Sequence, residues 1–119
     1  MTIQQCYAEI GSNYEEVLQR LRSEQLIRKF VLKFPDDRSF QSLITAMESG
    51  DGKGAFLAAH TLKGVSQNLG FTGLYEASRD LTEALREEET EGKEALLDAV
   101  KDIYEKTVYT IGKFEKENK

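Results

Sequence analysis

His60 is the only histidine among 119 residues, and Lys63 and Gly64 follow it in the run Ala58-Ala59-His60-Thr61-Leu62-Lys63-Gly64. Near neutral pH an imidazole keeps an unprotonated nitrogen that attacks a phosphoryl group with little activation, and the hydrogen bond made by the other nitrogen sets which one attacks. A lysine one helical turn on can place its ammonium beside the phosphoryl oxygens and offset the charge spread over them in a loose transfer. Gly64 leaves a hollow where a larger side chain would meet the phosphoryl group or an approaching protein, and Gln67 offers one more donor. Reversible phosphorylation of an imidazole nitrogen is the chemistry this spacing suggests.

These residues need a helix to hold them. From Asp51 to Leu69 the apolar spacing is helical: at about 100° per residue, Ala55, Ala58, Ala59, Leu62, Val65, Ser66 and Leu69 gather on one side. His60 falls opposite, and Phe56, Lys63, Gly64 and Gln67, at spacings of three, four and seven, share its outer face. Alone, an exposed histidine or lysine is by default a solvated surface residue. Its company here is unusual for a solvated surface, because Phe56 sets a ring on that face and Gly64 costs the helix about 1 kcal/mol relative to alanine. Phe56 is expected to act either as a partner contact or as a lid folded over the turn at Gly52 and Gly54.

Other chemistries find weaker support. Ser49-Gly50-Asp51-Gly52-Lys53-Gly54 lacks the Gly-Lys-Ser/Thr ending of a phosphate loop and the alternating carboxylates of a calcium loop, and it reads as a turn. One cysteine and one histidine, far apart, do not make a zinc site. No recognisable spacing ties His60 to Ser and Asp partners for hydrolysis. A net charge of −5, with basic residues scattered among acids, is a poor match for nucleic acid. The run Glu87-Glu88-Glu89 with Glu91 reads as a solvated helix end.

The rest of the chain predicts an all-α fold, since apolar residues recur at three and four and only one proline interrupts them. Ile3, Cys6, Tyr7 and Ile10 line a short first helix stopped by Gly11, after which Ser12 and Glu15 offer a capping box. Residues 13 to 34 form one helix or break near Ser23; spacing alone allows both. Beyond Pro35, Asp36 or Asp37 caps a helix carrying Phe40, Leu43, Ile44 and Met47, and Gly50-Asp51-Gly52 turns the chain into the histidine helix. Gly70 ends that helix in a left-handed conformation, and Thr72 caps the next, with Leu74, Ala77, Leu81, Ala84 and Leu85 as its stripe. A long last helix carries Leu96 to Phe114, weakened by Gly112 near a frayed end.

Long amphipathic segments joined by short polar turns fit an antiparallel up-down-up-down four-helix bundle with short N-terminal helical additions. We expect one domain over 1–119, with a core from about 13 to 114 and a mobile tail at 115–119. At this length roughly two thirds of the unfolded surface can be buried without a metal or disulfide framework. The lone Cys6, the lack of a secretory segment and the lack of a long apolar run predict a cytoplasmic protein that does not insert into membranes.

The run from His60 to Gly64, continuing through Gln67-Asn68-Leu69-Gly70, resembles the motif of histidine-containing phosphotransfer (HPt) domains. The resemblance extends upstream through Phe34, Leu43, Met47 and Gly50-Asp51 and downstream to Leu74 and Leu81, over about residues 13 to 110. It implies a phosphorelay carrier in two-component signal transduction, passing a phosphoryl group to or from the aspartate of a response-regulator receiver domain, with a histidine kinase as another partner. By that resemblance His60 is the acceptor, Lys63 the charge partner and Gly64 the point of close approach, with Phe56 and Gln67 on the docking face. No ATP site and no cofactor are expected in this chain; the divalent metal belongs to the receiver, which supplies most of the catalysis. Many members place a glutamine or similar donor on the following helix near the histidine, where this chain has Thr82. The alternative is a helical adapter that binds a receiver or kinase through the same face without accepting phosphate.

Overall fold

Side-chain caps and left-handed residues divide the chain into helices, and in the computed structural model, which describes residues 1–118, no strand accompanies them. The elements are α1 (Ile3–Ile10), α2 (Tyr14–Leu21), α3 (Glu24–Lys33), a 3-10 turn (Phe34–Asp36), α4 (Ser39–Glu48), α5 (Gly52–Asn68), α6 (Thr72–Ala84) and α7 (Glu94–Glu117). The all-helical expectation therefore holds.

Several boundaries differ from the sequence reading, each for a local reason. Asn13 caps α2 by accepting from the Glu16 backbone N–H at 3.1 Å, which displaces the expected Ser12–Glu15 box and leaves the Ser12 hydroxyl without a partner. Starting there turns Tyr14 and Val17 to the interior. The stretch from 13 to 34 does break: Arg22 takes a left-handed conformation at φ 58°, and Ser23 accepts from the Leu26 N–H to begin α3. No glycine marks that break, so a residue with a Cβ occupies a region most side chains avoid. Asp37 accepts from the Ser39 N–H at 2.9 Å at the start of α4. Phe71, not Thr72, precedes α6, because its fully buried ring fixes where the chain enters; the Thr72 hydroxyl turns back to the Gly70 carbonyl. Gly70 has the expected left-handed φ of 69°.

The end of the chain also corrects the expectation. Helix α7 runs unbroken through Gly112, held by buried Thr110, Ile111 and Phe114, and most of the predicted tail at 115–119 continues it. Glu117 pairs with the amino terminus at 3.1 Å, and the Asn118 amide donates to the carbonyls of Met1 and Phe114. Lys119 lies outside the described residues.

Helix α5 occupies the middle, packed against α4 on one side and α6 on the other, while α6 also meets α7 and α1 lies along α7. Its buried face is mostly small, with Ala55, Ala58 and Ala59 beside Leu62, so neighbouring helices approach closely. Leu62 is fully buried, and truncating it to alanine would cost about 2–5 kcal/mol through lost transfer energy and the cavity left behind. At the start of α5, Asp51 accepts from the Gly54 N–H at 2.9 Å. The backbone of Glu88 lies so close over Gly52 that any Cβ there would collide with the Glu88 carbonyl. At the other end the Tyr7 hydroxyl donates to the Leu69 carbonyl at 2.6 Å, in a buried cluster where Phe71 meets the rings of Tyr7 and Phe34. The core thus begins at Ile3, well before the expected 13, and α1 is part of it.

No helix among the described residues is long and apolar enough to cross a membrane.

Candidate functional site

The alternation along α5 decides what faces outward. Ala58, Ala59 and Leu62 are held in the interior, which leaves His60 exposed midway along the helix. Phe56, one turn earlier, is half-buried and packed against the core. Its ring lies stacked beside the imidazole, with planes 12° apart and centroids separated by 6.2 Å. Packed in this way, it is not a freely projecting side chain.

Among the described residues, no hydrogen bond reaches either nitrogen of His60, and Lys63 makes no hydrogen bond or ion pair. Lys63 is half-buried and lies near enough to Glu83 of α6 to act on its charge. There the Arg86 guanidinium, hydrogen-bonded at 2.7 and 2.9 Å, holds the Glu83 carboxyl below the usual carboxylate range, and Lys63 acts in the same direction. Thr82, the residue of α6 at the position of interest, is only 1% exposed, and its hydroxyl donates to the Ser78 carbonyl within its own helix.

A Cβ built on Gly64 would meet nothing within 4 Å, so no neighbour in this chain requires glycine there. Gln67 is exposed at the next turn; its backbone carbonyl accepts from Arg20 at 2.9 Å, which ties α2 to the end of α5. His60, Phe56, Lys63, Gly64 and Gln67 therefore share one side of α5, with His60 and Gln67 exposed and the other three partly buried.

Leu57 belongs with them and was missed. It is 54% exposed, three residues before His60 and seven before Gly64, and the Thr61 hydroxyl donates to its carbonyl. The signal was present in the sequence as a leucine out of phase with the buried stripe. Further along α5, an open groove of about 500 Å³ runs between α2, α3 and the end of α5, lined by Leu21, Phe30, Phe34, Val65 and Leu69 and edged by Arg20, Lys33 and Asp37. Among the described residues, no three His, Cys, Asp or Glu side chains are grouped to hold a metal ion.

The arrangement offers an accessible nucleophilic nitrogen, a neighbouring unpaired cation, an open notch and an apolar flank, all on one rigid helix. The model of one family, described as the Hpt domain, matches residues 16–108, more than half of the chain, and spans α2 into α7. No curated protein and no solved structure matched the chain.

Proposed function

The chain belongs to the Hpt domain family, phosphotransfer carriers that work with receiver domains and kinases in two-component systems, and from that premise we propose that it is a phosphorelay carrier whose acceptor is His60. An unprotonated nitrogen of His60 attacks the phosphorus of a receiver's aspartyl phosphate. The N–P bond forms as the acyl-phosphate P–O bond breaks, and the aspartate leaves as a carboxylate. Transfer in the opposite sense reverses these steps.

Lys63 lies one turn from the acceptor, where its ammonium offsets charge on the phosphoryl oxygens. Gly64 supplies the notch through which the receiver's acidic site approaches, and Leu57 and Gln67 flank the contact. Relay partners must separate after each transfer, so a modest interface suits the role. The receiver brings its own divalent ion and most of the catalysis; a histidine kinase is the other class of partner. This chain contributes neither an ATP site nor a cofactor. On the same reading α4 to α7 form the antiparallel up-down-up-down bundle, joined by the short turns before α5 and α6, in a protein that works as one domain in the cytoplasm and binds neither nucleic acid nor membrane.

The observation that carries this reading is the exposure of His60 on a helix where Gly64 stands open. Incubation with a phosphorylated receiver domain should put an acid-labile, base-stable phosphoryl group on His60. His60→Gln should abolish it while far-ultraviolet circular dichroism stays unchanged. Receiver binding that survives this substitution, with no labelling of the wild type, would instead identify an adapter.

A further inference from the structure

We infer that Phe56 is a positioning residue for the His60 ring, an inference that rests on the acceptor role given above. An exposed imidazole ordinarily samples several rotamers, and an acceptor gains from having its nitrogen aimed before the partner arrives. The usual device, a hydrogen bond to the second ring nitrogen, is absent among the described residues, and Thr82 is committed to the Ser78 carbonyl. The neighbour that remains is Phe56. It is half-buried, packed against the core and therefore fixed, and its ring is stacked on the imidazole, 12° from parallel at 6.2 Å between centroids. Offset stacks of aromatic rings are favourable in this range of separations.

Stacking suits the task for a geometric reason. The lone pair of an imidazole nitrogen lies in the ring plane, so a neighbour on the ring face restricts rotation without covering the nucleophile. A hydrogen-bonding neighbour would fix the tautomer as well; Phe56 fixes only the plane and leaves proton exchange with water free.

Phe56→Leu and Phe56→Met fill the half-buried position without an aromatic face, and Phe56→Tyr keeps one. We expect the first two to lower the transfer rate at saturating phosphorylated receiver by about three- to tenfold, with receiver affinity changed less than about twofold, and the third to restore the wild-type rate. Side-chain relaxation of the His60 ring, read by NMR, should show greater motion in the leucine and methionine variants alone. A weaker affinity with an unchanged saturating rate would make Phe56 a docking contact and overturn the inference, as would unaltered ring motion. If the wild type takes no label from any phosphorylated receiver, the carrier reading fails by itself; the relaxation measurement then still decides whether Phe56 orders the ring.

Discussion

The Thr82 hydroxyl donates to the Ser78 carbonyl at 2.6 Å, one turn back in the same helix, and is buried there. A threonine bonded in this way adds little to the sheltered face of α6 beyond its shape. Thr82→Val, which keeps that shape, should leave phosphoryl transfer within about twofold of wild type and change stability by about 1 kcal/mol or less, read by urea unfolding. A tenfold or greater loss of transfer would mean that the hydroxyl turns to the imidazole during the reaction.

Gly64 and Gly52 stand in the same helix and answer to opposite demands. A methyl group at 64 enters open space, so Gly64→Ala should raise stability by about 0.5–1 kcal/mol through the better helix propensity of alanine. At 52 the Glu88 carbonyl blocks any Cβ, and Gly52→Ala should lower stability by about 1–3 kcal/mol. The functional readout should separate in the other direction, with Gly64→Phe retaining its fold and losing receiver binding. Wild-type transfer by Gly64→Phe would remove the notch from the mechanism.

Lys63→Ala should slow transfer by about tenfold while shifting stability by less than about 0.5 kcal/mol, because the ammonium has no ion pair in the resting protein to lose. Half-exposed charge is screened by salt, so the gap between wild type and variant should narrow as ionic strength rises. Rates measured at low and high salt check both statements. Identical rates in the two proteins would leave Lys63 as a solvated surface charge.

Burial first, and then the nearby Glu9 carboxylate, push the Cys6 thiol from 9.0 to about 11. Between those values the unfolded chain has released the proton that the folded chain still holds, so unfolding free energy falls as pH rises. That contribution is fully present below pH 9 and is lost on passing through about pH 11. Tyr7 is raised by burial as well, from 10.0, and adds to the decline above that value. Urea unfolding between pH 9 and 10 should therefore show a shallower pH slope for Cys6→Ala than for wild type.

Much of the fold was legible because periodicity and punctuation agree. The stripe of Ala55, Ala58, Ala59 and Leu62 placed His60 outward, and the structure has it exposed. Gly11 and Gly70 ended their helices at positive φ as expected. Misplaced boundaries were those where two polar residues competed for one role: Ser12 and Asn13 can each cap α2, and the choice depends on which register buries Tyr14 and Val17. The end of α7 was misjudged because Gly112 argues locally for fraying, whereas Phe114 is buried and Glu117 and Asn118 bond to Met1, more than 100 residues away in sequence. At the site, spacing put Phe56 and His60 on one face but could not give their rotamers, and the stacked pair exists only at that level. Leu57 was passed over because a single outward leucine is common on ordinary surfaces.

The hydroxyl of Tyr7 reaching the end of α5 bears on where this protein can be trimmed. The span from 16 to 108 leaves out all of α1 together with Ile111 and Phe114, yet Tyr7 anchors the last turn of α5 and Ile111 and Phe114 belong to the same buried core. A fragment cut to those homology limits would expose an oily seam and release the Leu69 carbonyl from its anchor. Slackness would then enter the platform beneath His60 from its far end, and the loss of relay activity would be mistaken for a missing catalytic group.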